Sequence, residues 1–454
     1  MEKPHILAIP YPFQGHVLPL MQLSLKLVEH GFKVTFVNTE AVHKRVVRAL
    51  SEEDNVEELI NLVSVPDGME PGEDRNDIAK LTQAMFRVMP GELEQLVRDI
   101  NRADDDKITC IIADETMGWA LEFADRFKIK RAAFWPASAA LLALKLSIPK
   151  LIQDGFVDND GNVLKSEMFT LSTSMPVMNS KDFAWTSAGD SNAAKIMFRI
   201  FEGTNRTVKL AERIICNTSY ELEPAALSLF PEILAIGPFL ADNRLGKSSG
   251  SFWRADASCL AWLDQQPSQS VIYVAFGSFT IFDQKQFHEL ATGLELTNRP
   301  FLWVVRTDMM DEKSEDFLKI FKVRIGQRGR IVGWAPQQAV LNHPAIGCFL
   351  SHCGWNSTIE GVSNGVPFLS WPYFADQFLN QTYICDVWKV GLALDKDETG
   401  IITRGEIKNK VEKLLNDKTF KQRALIYQEM VISGAQESGC SNKNMSNFIQ
   451  WIKY

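Results

Sequence analysis

Short apolar runs alternate with amphipathic stretches along most of this chain, and they do so in two successive sets. The first set opens with HILAIPYPFQGHVLPLMQLSLKLVEHGFKVTFVN (His5 to Asn38). Ile6 to Ile9 is a run of strand length; Leu18, Met21, Leu25 and Val28 recur at helical spacing; Val34 to Val37 is the next strand. KITCIIADETMGWALEFADRF (Lys107 to Phe127) repeats the strand-then-helix pattern. The second set begins at VIYVAFGS (Val271 to Ser278), continues as a helix over Asp283 to Leu296, and resumes with FLWVV (Phe301 to Val305). IGCFLS (Ile346 to Ser351) and PFLSWP (Pro367 to Pro372) are apolar enough to be parallel strands buried on both faces. Alternation of this kind predicts an α/β fold with parallel sheets, in two Rossmann-like domains spanning residues 1–240 and 257–435. The polar, Gly- and Ser-rich ADNRLGKSSGSFWR (Ala241 to Arg254) marks an interdomain linker over 241–256. Residues 436–454 form a last helix, with Phe448, Ile449 and Trp451 as its apolar residues.

Candidate chemistry concentrates between Trp334 and Gln377, WAPQQAVLNHPAIGCFLSHCGWNSTIEGVSNGVPFLSWPYFADQ. HCGWNS (His352 to Ser357) turns the chain from a strand into a helix. A helix start presents unpaired N–H groups and the positive end of the dipole, which suits a phosphate. Gly354 allows close backbone approach, and His352, Asn356 and Ser357 can donate to the same oxygens. Glu360 lies six residues beyond Gly354, about 9 Å along a helix, where a carboxylate suits a ribose diol. Trp334 offers a flat face on which a base can stack. Asp376 and Gln377 follow a strand, and a carboxylate beside a primary amide pairs well with several hydroxyls of one sugar. Each residue also has a plainer reading: Trp334 as core or turn packing, Asp376 and Gln377 as a helix cap. One His and one Cys two apart, with no second pair, make a zinc site a poor explanation of HCG.

A second centre is suggested in the first set. His16 sits where the first strand's loop enters a helix, and Asp114 holds the same kind of position after a later strand. Catalytic groups gather beyond the C-terminal ends of parallel strands. A carboxylate that holds one imidazole nitrogen leaves the other free to act as a base. Capping roles for both residues remain open on this reading.

The box from Trp334 to Gln377 resembles the C-terminal signature of plant uridine-diphosphate-dependent glycosyltransferases of small molecules. WAPQ, HCGWNS, the glutamate, GVP, WP and DQ all fall at that family's spacing. PYPFQGH (Pro10 to His16) is similar to its N-terminal motif. The resemblance implies a GT-B fold, two Rossmann-like parallel-sheet domains facing across a cleft, with the last helix crossing back onto the first domain. It implies that Trp334 stacks on uracil, with Ala335 beside it, and that Gln337 and Glu360 meet the ribose. His352, Gly354, Asn356 and Ser357 would meet the pyrophosphate, helped by Ser278 of the FGS turn. Trp355, Asp376 and Gln377 would meet the sugar, and a final Gln in the box points to UDP-glucose. His16 would be the general base and Asp114 its orienting partner. The reaction expected is an inverting, metal-independent transfer of glucose to a hydroxyl, with UDP-glucose as co-substrate and no cofactor.

Composition narrows the remainder. With 454 residues, 46% apolar and 23% charged, the chain is long enough for two full domains. A net charge of −8 argues against nucleic acid or an anionic membrane as partner. Seven scattered cysteines fit reduced thiols in a cytoplasmic protein, and no signal peptide or membrane-spanning run is apparent. The apolar stretch Ala132 to Leu144 is too short to cross a bilayer. Neither half has GxGxxG after its first strand, which disfavours a dehydrogenase, and there is no Walker A sequence. Asp104 to Asp106 reads as a solvated acidic turn. The acceptor is expected to be an apolar small molecule (phenolic, flavonoid or terpenoid) held by Phe13, Met85, Phe86, Met117 and Phe134, with Trp135 nearby. A monomer is expected.

Overall fold

The computed structural model describes residues 3–50, 56–102, 106–187, 190–239, 250–306 and 310–454. The chain divides into two compact units, Met1–Arg254 with Ser433–Tyr454, and Ala255–Ile432. Residues 241–249 of the expected linker, and Asp104 and Asp105 of the acidic turn, lie outside the described residues. Asp106 is described and pairs with Lys33 at 2.6 Å.

The first unit holds β1 (His5–Ile9), β2 (Lys33–Thr39), β3 (Asn61–Val65), β4 (Ile108–Asp114) and β5 (Lys130–Trp135). A short antiparallel hairpin follows, β6 (Met168–Phe169) with β7 (Met178–Asn179), and then β8 (Arg213–Cys216) and β9 (Ile233–Ala235). All but the hairpin form one parallel sheet in the order β3-β2-β1-β4-β5-β8-β9. Strand alternation divides its side chains between two cores. Ile6, Ala8, Cys110, Ile112, Ala132 and Phe134 enter one, while Leu7, Ile9, Ile111, Ala113 and Ala133 enter the other. The helix Gln14–Glu29 contributes Val17, Leu20, Met21, Leu25 and Leu27 to the first core. Leu18 and Val28, expected on its apolar stripe, are only half-buried, because the buried stripe runs through Val17, Leu20, Met21 and Ser24 instead.

The last helix, Cys440–Lys453, places Met445, Phe448, Ile449 and Ile452 in that same core. Lys130 Nζ satisfies the carbonyl of Trp451 at its C-terminal end (2.9 Å), where a cation also meets the negative end of the helix dipole.

The second unit holds β10 (Val271–Ala275), β11 (Phe301–Val304), β12 (Gly329–Val332), β13 (Ile346–Ser351), β14 (Phe368–Ser370) and β15 (Gly391–Ala393). They form a parallel sheet in the order β12-β11-β10-β13-β14-β15. β10 and β13 are buried along their whole length, as strands covered on both faces must be. No described helix is long and apolar enough to cross a membrane.

Each sheet has a point where the strand order reverses, and there the loops beyond the strand ends part to leave a crevice. In the first unit this point lies between β1 and β4, and in the second between β10 and β13.

Candidate active site

Pairing of β1 with β4 sets Ile9 beside Ala113, so the chain leaves β1 next to Asp114, the last residue of β4. Asp114 has the same strand parity as Cys110 and Ile112, whose side chains enter the core shared with the helix Gln14–Glu29. That helix starts after Phe13 and carries His16 in its first turn, where His16 N bonds the Phe13 carbonyl at 2.9 Å. Strand register, parity and helix position therefore bring the two side chains together. His16 Nδ1 lies 2.7 Å from Asp114 Oδ2. Against a carboxylate the Nδ1–H is the donor, which leaves Nε2 as the basic nitrogen. The imidazole is 27% exposed and the carboxylate is fully buried. Tyr11 braces the ring edge-on, with centroids 5.2 Å apart.

The plainer reading of Asp114 also holds. Its second oxygen, Oδ1, accepts from Thr116 N at 2.9 Å and so caps the short helical turn that follows. One carboxylate serves both roles because its two oxygens face different partners.

The apolar residues expected around this centre are placed in two groups. Met85 and Met117 are fully buried in one core of the sheet, with Phe13 and Phe86 half-buried at its margin. Phe134 does not join them. It faces the opposite side and packs on Phe239 (centroids 6.3 Å apart), because β5 pairs Phe134 with Asp114 and alternation turns both to the other core. Trp135 is buried, with its Nε1 donating to Ser138 O at 2.8 Å. Phe13 and Phe86 thus remain the candidates with surface to offer.

In the second unit, the loops after β10 and β13 meet at the reversal point, where Ala275 pairs with Ser351. The FGS turn and the HCG turn close on the same imidazole. A Cβ added at Gly277 would lie 2.6 Å from His352 Nε2, and one at Gly354 would lie 2.5 Å from the same atom. Gly277 also has φ of 69°, so glycine is required there on both counts. Burial pushes the His352 imidazole down to about 4, against a backbone hydrogen bond to Ala275 that raises it. Its Nδ1 is buried with no hydrogen-bond partner among the described residues.

The helix Trp355–Ser363 begins immediately after, with Gly354 at its cap position and no side-chain cap. A helix start turns the positive end of its dipole outward, which favours an anion. Trp355 N is held by Asp376 Oδ2 at 3.2 Å. Asn380 Nδ2 bonds that same oxygen at 2.7 Å and the Cys353 carbonyl at 2.8 Å, bracing the turn. Gln377 is buried, and its Oε1 accepts from Tyr373 N (2.7 Å) and Phe374 N (3.0 Å). The amide is thereby oriented with its NH2 as the end that can donate.

Five residues later on the same helix, Glu360 is buried and gripped by two amides: Gln337 Nε2 on Oε2 at 2.8 Å and Gln338 Nε2 on Oε1 at 3.2 Å. Gln337 Nε2 also reaches Ser357 Oγ at 2.8 Å, and its Oε1 accepts from Tyr273 OH at 3.1 Å. Burial raises the Glu360 carboxyl above the usual carboxylate range, and the two amides oppose that shift. Trp334 is half-buried beside Ala335, and its carbonyl accepts from Asp256 N at 2.9 Å. Gln337, Ser357 and Glu360 thus form one hydrogen-bonded cluster, with Trp334 three residues before Gln337 in the chain. Sequence reading missed Gln338, Tyr273, Asn380 and Arg306. Asn380 carried a signal, since it stands four residues after Asp376 on a helix.

The buried state of His352 has a pH signature. Its folded value of about 4 lies below the ordinary 6.5, so the folded state prefers the neutral ring. As pH falls through 6.5 the unfolded chain takes the proton first, and stability is lost down to about pH 4. The loss is at most roughly 3–4 kcal/mol, the linkage equivalent of that shift. His352→Ala should therefore flatten the fall in melting temperature between pH 6.5 and 4; identical slopes in the two proteins would contradict it.

These centres can be set beside known proteins. Residues 246–431 match the family described as "UDP-glucoronosyl and UDP-glucosyl transferase". UDP-glycosyltransferase 83A1 of Arabidopsis thaliana is 43% identical, over 100% of this chain and 97% of its own. Among solved structures, Os79 of O. sativa in complex with UDP superposes with a TM-score of 0.80 at 25% identity, covering 98% of this chain and 100% of that one. UGT2 of Phytolacca americana, complexed with UDP-2fluoro-glucose and pterostilbene, gives 0.79 at 26% identity and 99% coverage of both chains. The fold is accordingly GT-B, its donor is a UDP-sugar, and the chain belongs to the plant UDP-glycosyltransferase family of small-molecule transferases.

Proposed function

We propose that this transferase moves glucose from UDP-glucose to a hydroxyl of an apolar small molecule, with inversion and without a metal. The observation that carries the reading is the 2.7 Å bond between His16 Nδ1 and Asp114 Oδ2, which makes Nε2 a fixed base at the reversal point of the first sheet. His16 Nε2 takes the proton from the acceptor hydroxyl as its oxygen attacks the anomeric carbon. The bond from that carbon to UDP breaks on the opposite face, so one displacement turns an α-linked donor into a β-glucoside. Charge developing on the departing diphosphate meets the positive end of the helix that starts after Gly354, together with His352, Asn356, Ser357 and Ser278. Trp334 and Ala335 take the uracil, Gln337 and Glu360 the ribose, and Trp355, Asp376 and Gln377 the sugar.

Glucose as donor sugar is supported by the half-buried Asp376 beside the buried Gln377, an acceptor and a donor group suited to several hydroxyls of one ring. UGT2 of Phytolacca americana, complexed with UDP-2fluoro-glucose and pterostilbene, supports an apolar small-molecule acceptor, which we take to be a phenolic, flavonoid or terpenoid. Phe13 and Phe86 are the residues proposed to meet it. The seven free cysteines, most of them buried, support a reducing, cytoplasmic setting, and we take the working unit to be a monomer.

Incubation with UDP-glucose and a panel of phenolics and terpenoids, read by product mass, tests the reading. A gain of one hexose on a hydroxyl, with β linkage by NMR, is expected. UDP binding without product on any acceptor would point to a metabolite-binding protein instead. Product from UDP-xylose, UDP-rhamnose or UDP-galactose but not UDP-glucose would overturn the donor assignment, and a C-, N- or S-linked product would overturn the hydroxyl.

A further inference from the structure

A diphosphate brings at least two negative charges to a chain whose net charge is already −8. Cations near the donor site are correspondingly scarce. The loops beyond the C-terminal ends of β10 to β14 cover residues 276–283, 305–311, 333–336, 352–354 and 371–376, and the sequence places a single Lys or Arg in them, Arg306.

Arg306 follows β11, the neighbour of β10, and its Nη1 donates to the carbonyl oxygen of Ser278. That contact matters because of what the Ser278 turn does. Gly277 stands so near His352 that a single added carbon would collide with the imidazole, and Gly354 closes on the ring from the other turn. The placement of the FGS turn therefore fixes one wall around the half-buried imidazole. A carbonyl is also the wrong group to present to an anion, since its oxygen carries the negative end of the peptide dipole. A guanidinium that binds this oxygen removes it from competition and orients the rest of the turn, with its planar fork setting the direction.

We propose, on the basis of the donor reading given above, that Arg306 is the positioning residue for diphosphate recognition. It pins the Ser278 carbonyl, and through it sets the FGS turn and His352 toward the phosphates, while its charge offsets theirs. The residue acts through the turn and needs no direct bond to the donor.

The test compares UDP, UMP and uridine by isothermal titration calorimetry, on the full chain carrying Arg306→Gln or Arg306→Lys. Arg306→Gln should weaken UDP at least about 10-fold, a charge-assisted hydrogen bond's contribution, while uridine stays within about twofold. UMP should fall between the two. Arg306→Lys keeps the charge and loses the fork, so its UDP loss should be smaller but still exceed its uridine loss. A merely structural role would weaken UDP and uridine by the same factor, and that result overturns the proposal. Unchanged UDP affinity in both variants overturns it as well. If Arg306→Gln does not fold, the ratio of UDP to uridine affinity in Arg306→Lys decides, and a wild-type ratio there overturns it. Wild-type protein that fails to bind UDP would sink the donor reading itself, a different outcome from a variant that binds as the wild type does.

Discussion

His16→Ala should reduce glucoside formation by about 10²- to 10⁴-fold, the range supplied by a positioned general base, while UDP affinity changes by less than twofold. The two halves of this expectation have separate physical origins. Loss of the imidazole removes the group held against Asp114 Oδ2, so the carboxylate remains buried but has no ring to orient. Asp114 keeps its bond to Thr116 N, and the turn it caps stays formed. His16 contributes no apolar side chain to either core of the first sheet, so the packing of both cores is kept. Every residue assigned to the donor lies between Ser278 and Gln377, outside the unit that carries His16. Steady-state kinetics with UDP-glucose and the best acceptor, beside calorimetry with UDP, give both numbers. Turnover within tenfold of wild type would remove His16 as the base. Equal loss of turnover and UDP affinity would mean that His16 belongs to donor binding.

Much of this arrangement was legible in the sequence because it depends on order along a strand or helix. Alternation assigned the two sheets, and the helix start at Gly354 followed from a strand ending at Ser351. The pairing of His16 with Asp114 was legible as a possibility, since each follows a strand end. What made it a bond was the register of β1 on β4, which no pattern within either strand reveals. The same missing quantity misplaced Phe134. Parity within β5 can be read from sequence, but which core that parity faces depends on its register with β4. The helix Gln14–Glu29 shows a milder case: its sequence is apolar on more than one side, so Leu18 and Val28 looked as suitable as Val17 and Leu20. Gln338 and Arg306 were hidden for another reason. Their partners, Glu360 and Ser278, lie 22 and 28 residues away on different helices or loops, and only the folded sheet brings them together.

Replacing the two carboxylates of the second unit one at a time should separate nucleotide binding from sugar use. Glu360→Ala should weaken UDP by about 100-fold, since a charged acceptor contributes roughly 1.5–3 kcal/mol for each hydrogen bond it makes. The substitution removes the proposed ribose acceptor and also strips Gln337 Nε2 and Gln338 Nε2 of a shared buried partner. Gln337 keeps Ser357 and Tyr273, so its side chain is loosened and not released. Asp376→Ala should behave in the opposite way. Its Oδ2 ties Trp355 N to Asn380, and the Asn380 bond to the Cys353 carbonyl survives its loss, so the turn that meets the diphosphate is retained. UDP affinity should then fall by no more than a few-fold, because Asp376 is assigned no bond to the nucleotide itself. Transfer from UDP-glucose should fall by about 10²- to 10³-fold, because a sugar held without its acceptor group is no longer aligned for displacement. Calorimetry with UDP and turnover at saturating acceptor distinguish the two variants. Equal ratios of binding loss to turnover loss would mean that the nucleotide and the sugar are not read by separate carboxylates. A reversed pattern, with Asp376→Ala losing UDP and Glu360→Ala keeping it, would exchange their assignments.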